Sequence, residues 1–61
     1  MDAKYYVLLA LGEIGEERLE LKGFDSYSEL WHYLQDRLFM DDIKWYQIFW
    51  GDTLMAQRVL K

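Results

Sequence analysis

Hydrophobic and polar positions along the chain follow two different periods. Lys4–Leu11 (KYYVLLAL) is an almost unbroken apolar run, rich in tyrosine and branched aliphatics. Glu16–Lys22 (EERLELK) sets Leu19 and Leu21 in alternation with Arg18, Glu20 and Lys22, the pattern of a strand with one wet face. Gly12-Glu13-Ile14-Gly15 between them is a glycine-bounded turn, so the pair reads as a hairpin. Gly23 ends the second strand, and the period then changes to 3.6. Tyr27, Leu30, Trp31, Leu34 and Leu38 recur as one apolar stripe, which predicts a helix from about Tyr27 to Phe39. Ser26 followed by Glu29 has capping-box spacing, in which the serine hydroxyl accepts a backbone N–H and the glutamate reaches back. The other helix face carries Glu29, His32, Tyr33, Asp36 and Arg37. Asp41-Asp42 forms the exit loop, because acids at a helix C-terminus oppose the macrodipole.

Ile43–Trp50 (IKWYQIFW) and Thr53–Leu60 return to strand character, joined by Gly51-Asp52. A two-residue connection with glycine first predicts a type II′ hairpin and sets a register. Trp50 then opposes Thr53, Phe49 opposes Leu54, Ile48 opposes Met55, Tyr46 opposes Gln57 and Trp45 opposes Arg58. One face holds Tyr46, Ile48, Trp50, Met55 and Val59. The other holds Ile43, Trp45, Phe49, Leu54, Ala56 and Leu60, with Arg58 lying against Trp45. Since Arg58 and Gln47 interrupt the second row, the Tyr46/Ile48/Trp50 row is expected beneath the helix. Tyr27 and Trp31 join Tyr46 and Trp50 as expected core aromatics, leaving Tyr33, Trp45 and Phe49 partly exposed as contact anchors. The predicted fold is a single α+β domain over residues 1–61. Its antiparallel sheet of three to four strands, in two hairpins, carries one helix on one face, in the order β-β-α-β-β.

Composition narrows the function more than the fold. A chain of 61 residues lies in the size range where disulfides or metals often reinforce the core, yet it has no cysteine and one histidine. In their place stand three Trp, five Tyr and three Phe, more aromatic surface than so small a core requires. The longest apolar run, Tyr5–Leu11, falls far short of the ~20 residues that span a bilayer, and MDAKYY lacks the layout of a signal peptide. The expectation is a cytoplasmic protein with no membrane partner. A net charge of −4 argues against direct binding to nucleic acid and for a basic protein partner.

Catalytic chemistry lacks its parts. His32 has only Asp36 one turn away, and Ser26 is occupied as a cap, so no nucleophile, base and orienting acid converge. The same two residues supply at most half a metal site. No phosphate-binding glycine pattern is present, and Gly12 and Gly15 close a hairpin and open no helix. The expectation is a non-enzymatic protein with no cofactor and no metal. The acids are more informative: Glu13, Glu16, Glu17 and Glu20 crowd the first hairpin, Asp25 and Glu29 the helix entrance, and Asp41-Asp42 its exit.

Lys22-Gly23-Phe24-Asp25-Ser26-Tyr27-Ser28-Glu29-Leu30 resembles the strand-to-helix junction of the small phage-encoded inhibitors of uracil-DNA glycosylase. The shared features are Lys-Gly plus an apolar residue closing a hairpin, then Ser28, Glu29 and Leu30 opening a helix with an aromatic, Tyr33, further along. The chain departs from that pattern in lacking a longer N-terminal tail and in adding the strand Thr53–Leu60. The resemblance implies a homodimer that mimics DNA, with acids in place of phosphates and an apolar pocket for a side chain of the target. Glu16, Glu17, Glu20 and Glu29 are the implied phosphate mimics, and Leu30, Tyr33, Trp45 and Phe49 the implied pocket or dimer seam. The function expected is a small acidic protein inhibitor of a basic nucleic-acid enzyme, uracil-DNA glycosylase first. The alternatives are a regulator of another host protein, such as RNA polymerase or a nuclease, or a homo-oligomerisation module.

Overall fold

The computed structural model describes residues 3–13 and 15–60, so that Ile14 of the expected first turn lies outside the described residues. Four strands and one helix follow in the expected order: β1 Tyr5–Leu11, β2 Arg18–Phe24, α1 Tyr27–Met40, β3 Ile43–Trp50 and β4 Thr53–Val59. The strands form one antiparallel sheet in the order β2-β1-β3-β4, with β1 and β3 central. The fold is α+β, with α1 lying across β1 and β2.

Local chemistry explains the element ends. Ser26 is extended and its Oγ accepts the Glu29 N–H at 3.2 Å, satisfying one of the orphan donors of the first turn. Asp41 is also extended and closes the helix by donating its N–H to Arg37 O at 2.9 Å. Gly51 has φ +61 while among the described residues no non-glycine has positive φ, the sign pattern that a II′ turn demands of Gly51-Asp52. Gly23 does not end β2, contrary to the sequence expectation. It sits within the strand opposite Tyr6, where an added Cβ would come 3.1 Å from the Tyr6 ring and 2.7 Å from Ala3 Cβ. Gly23 is there to admit that ring.

The core lies between α1 and the sheet. Leu30 and Leu34 of the helix, Val7, Leu9 and Leu11 of β1, and Ile43, Tyr46 and Ile48 of β3 are all buried. The Tyr46/Ile48 row does face the helix, and Gln47 lies on the other row as expected, but Arg58 does not. A β-bulge at Met55 sets Phe49 opposite Leu54 but Ile48 opposite Ala56, so Tyr46 opposes Arg58 and Trp45 opposes Val59. Arg58 therefore lies on the helix side of the sheet, exposed because α1 does not reach β4. Val59 moves to the other side. A second bulge, at Lys44, pairs Leu11 with Ile43 but Ala10 with Trp45. Ile43, expected on the contact row, is thereby turned into the core at 2% exposure. Trp50 and Tyr27, expected as core, are 59% and 40% exposed at the end of the sheet where the helix begins.

Candidate functional site: the open face of the sheet

One side of the sheet has no helix over it. Cross-strand partners share a face, so the pairings place Leu19, Leu21 and Gly23 of β2 beside Tyr6, Leu8 and Ala10 of β1. Trp45, Gln47 and Phe49 of β3 follow, and then Leu54, Gln57 and Val59 of β4. No paired position on this face carries a charge. Leu21 at 65% and Val59 at 75% exposure mark its two edges, while Trp45, Phe49, Tyr6 and Leu8 are half-buried by one another's company. Its two amide side chains are paired, with Gln47 Nε2 donating to Gln57 Oε1 at 3.2 Å. A hollow of about 370 Å³ opens among Tyr6, Leu8, Leu21, Phe49 and Gly51.

This inverts the sequence reading of β2. Alternation gave Leu19 and Leu21 to the core and Arg18, Glu20 and Lys22 to water. In the structure the charged row is on the helix side, and the leucines are on the open face. The charged residues are accommodated there by partners from α1. Arg37 donates from both terminal nitrogens to Glu20, at 2.9 and 3.0 Å, and from one of them to Tyr33 Oη at 2.6 Å. Arg37 Nε also donates to Asp41 Oδ2. Lys22 Nζ stands 5.2 Å from the centre of the Tyr33 ring, which also meets the Phe24 ring at 5.2 Å and the Arg37 guanidinium at 5.5 Å. The Arg37 hydrogen bonds, against some burial, hold the Glu20 carboxyl below its ordinary pKa of 4.5. The Glu20 and Asp41 carboxylates in turn hold the Arg37 guanidinium protonated.

The residues nominated from sequence are thus scattered over several surfaces. Leu30 is fully buried in the core. Tyr33, expected on the wet side of the helix, is half-buried in the clamp over β2, and Glu20 is committed to Arg37. Glu16 and Glu17 are exposed in the β1–β2 turn, where Glu17 Oε1 accepts the Gly15 N–H at 2.7 Å. Glu29 is exposed at the opposite end of the molecule, a helix length of about 21 Å away. Trp45 and Phe49 alone sit together on the open face.

Folding nevertheless gathers acids that are distant in sequence. Leu11 pairs with both Arg18 and Ile43, so the β1–β2 turn with Glu13, Glu16 and Glu17 lies at the same end of the sheet as Asp41 and Asp42. Arg37 and Lys44 answer part of that charge, Lys44 Nζ lying 2.9 Å from Asp42 Oδ2. Among the described residues no group of three or more His, Cys, Asp or Glu converges as a metal site. No described helix is long and apolar enough to cross a membrane.

Comparison with protein-family models, curated proteins and solved structures finds no match. The functional reading therefore rests on the site. Sequence reasoning found two of its residues, Trp45 and Phe49, from the excess of aromatics in IKWYQIFW. Leu54 was placed beside them by the expected hairpin register, while Tyr6, Leu8, Leu19, Leu21 and Val59 were missed. The available signal was Tyr5–Leu11, whose apolar residues on both faces already called for two dry surfaces.

Proposed function

We propose that this chain is a non-enzymatic protein-binding module, an acidic inhibitor of a basic nucleic-acid enzyme. The observation that carries the reading is the largely apolar open face, whose paired positions hold no charge, a surface suited to another macromolecule and costly to leave in water. An apolar part of the partner sits on Tyr6, Leu8, Leu21 and Phe49, which line the hollow. The acids at the β1–β2 turn and helix exit steer and orient a basic surface. Carboxylates at such an edge take the place of phosphates, which is the sense in which the chain mimics DNA. Glu16 and Glu17 keep that role in the proposal; Glu20 and Leu30 leave it.

Uracil-DNA glycosylase is the enzyme to test first, because of the resemblance at Lys22–Leu30. The experiment is a uracil-excision assay with the chain in molar excess, repeated with Leu21→Lys and with Glu16→Lys/Glu17→Lys. The expected result is inhibition that Leu21→Lys abolishes and that the double reversal slows in onset, with a loss of salt dependence. Unimpaired excision removes the glycosylase as target. Inhibition that Leu21→Lys leaves intact removes the open face as the contact surface.

A further inference from the structure

We propose that the free edge of β4 takes up an extended segment of another protein as a fifth strand, with a carboxylate of that segment set against Arg58. The proposal is independent of what the open face binds, because it concerns the backbone along the rim of the sheet. β4 is the last strand on its side, α1 does not reach it, and Thr53–Val59 is exposed throughout. An edge strand presents N–H and C=O groups to solvent, and folded proteins guard such edges with charges, proline or cover.

The two edges of this sheet are guarded unequally. β2 carries Arg18, Glu20 and Lys22 in alternation, and α1 is tied to it through the bonds from Arg37 to Glu20. β4 carries one charge, Arg58, and the chain has no proline. The bulge at Met55 interrupts its first half and leaves residues 56–60 as a regular stretch beyond it.

Pairing with β3 determines which groups that stretch offers. The Leu60 N–H donates to Lys44 O at 2.8 Å, so Leu60, and by alternation Arg58, turn their backbone groups inward. Gln57 and Val59, opposite Gln47 and Trp45, are the intervening pairs and turn their N–H and C=O groups outward. An antiparallel guest exchanges both bonds with each of these two residues. One guest residue then falls opposite Arg58 on the helix side of the sheet, and its neighbours fall beside Gln57 and Val59 on the open-face side.

Charge decides the occupant. Among the described residues no carboxylate pairs with Arg58. A second copy using the same outward residues would pair Gln57 of one chain with Val59 of the other, and so set Arg58 directly against Arg58. Like charges in that position destabilise a ladder. A carboxylate there attracts, and β-branched residues on either side of it continue the apolar row at Val59. The segment recognised is therefore an acid between two β-branched residues, with main-chain bonds giving affinity and Arg58 giving selectivity.

Amide hydrogen exchange and chemical shifts of the full chain test the proposal, with the terminally blocked peptide TVEVT added to millimolar concentration and TVKVT as its counterpart. In the free chain the Gln57 and Val59 amides should exchange readily, while those of Arg58 and Leu60 are protected. TVEVT should slow the first two at least about tenfold, and TVKVT should not. Arg58→Glu, at an exposed position, should reverse the preference between the peptides. Gln57→Pro removes an outward donor and no ladder bond, and should abolish the response. Leu21→Lys, on the opposite edge strand, should leave it unchanged. Absence of protection by TVEVT overturns the proposal, as do equal protection by both peptides and a response that survives Gln57→Pro or is lost in Leu21→Lys. If the proline variant does not fold, Arg58→Glu decides alone. Gln57 and Val59 amides that become protected in the peptide-free chain as its concentration rises assign the edge to a second copy, and also overturn the proposal.

Discussion

Arg37 and Glu20 allow the link between α1 and the edge strand β2 to be measured. The perturbation is a double-mutant cycle of Glu20→Gln and Arg37→Met. Two charge-assisted bonds of 2.9 and 3.0 Å join the groups in a bidentate fork, and the side chains are 38% and 23% exposed. Bonds to charged groups are worth about 1.5–3 kcal/mol where water is excluded, while fully exposed pairs give about 0–1 kcal/mol. With Glu20 more than a third exposed, solvent screening brings the coupling down to about 1 kcal/mol. In a domain of this size that corresponds to roughly 4–8 °C in Tm.

Acid supplies an independent control. The Glu20 pKa is lowered in the folded state, chiefly by the Arg37 hydrogen bonds. Its contribution to stability is complete above the unfolded value near 4.5 and is lost as pH falls through the lower folded value. Urea unfolding followed by tryptophan fluorescence at pH 7, and again at about pH 2.5, gives the coupling energy at each. The expected result is about 1 kcal/mol at pH 7 and a smaller coupling in acid, as Glu20 takes up its proton. A coupling below about 0.3 kcal/mol at pH 7, or one unchanged in acid, would refute the assignment of this pair as the clamp between helix and sheet.

Other consequences are open to direct measurement. Gly51→Ala keeps open space around the new methyl but forces φ +61 on an L residue, so it should destabilise by about 1–2 kcal/mol in thermal unfolding. Ser26→Ala should cost about 1 kcal/mol and lower helix content by circular dichroism in proportion, since Ser26 Oγ holds the Glu29 N–H. Leu34→Ala removes a fully buried side chain at a cost of about 2–5 kcal/mol, enough to leave so small a domain largely unfolded at 37 °C by near-UV circular dichroism. By contrast, Leu19→Ser, on the open face, should change stability by less than about 0.5 kcal/mol, and a larger loss would show that the face is covered within one chain.

Sequence alone determined the elements and most of their ends. The helical period from Tyr27, the Ser26 cap and the Gly51-Asp52 turn are local chemistry, and local chemistry is readable along the chain, whereas Gly23, read as a strand end, lies within β2. The order β-β-α-β-β and the α+β class followed from them. The surfaces did not follow. Alternation divides a strand into two rows but carries no sign for which row the helix covers, and each bulge reverses parity beyond it. Lys44 and Met55 are the extra residues, so Ile43 entered the core while Val59 and Arg58 exchanged sides. In β2 the rule that apolar means inside failed because Arg37 and Tyr33 reached Glu20 and Lys22 from the helix. One helix of about 10 Å diameter cannot cover four strands set about 4.8 Å apart, nor more than one side of them. Which leucines and aromatics remain exposed, and so which surface is offered to a partner, was decided only where the helix came to rest, across β1 and β2.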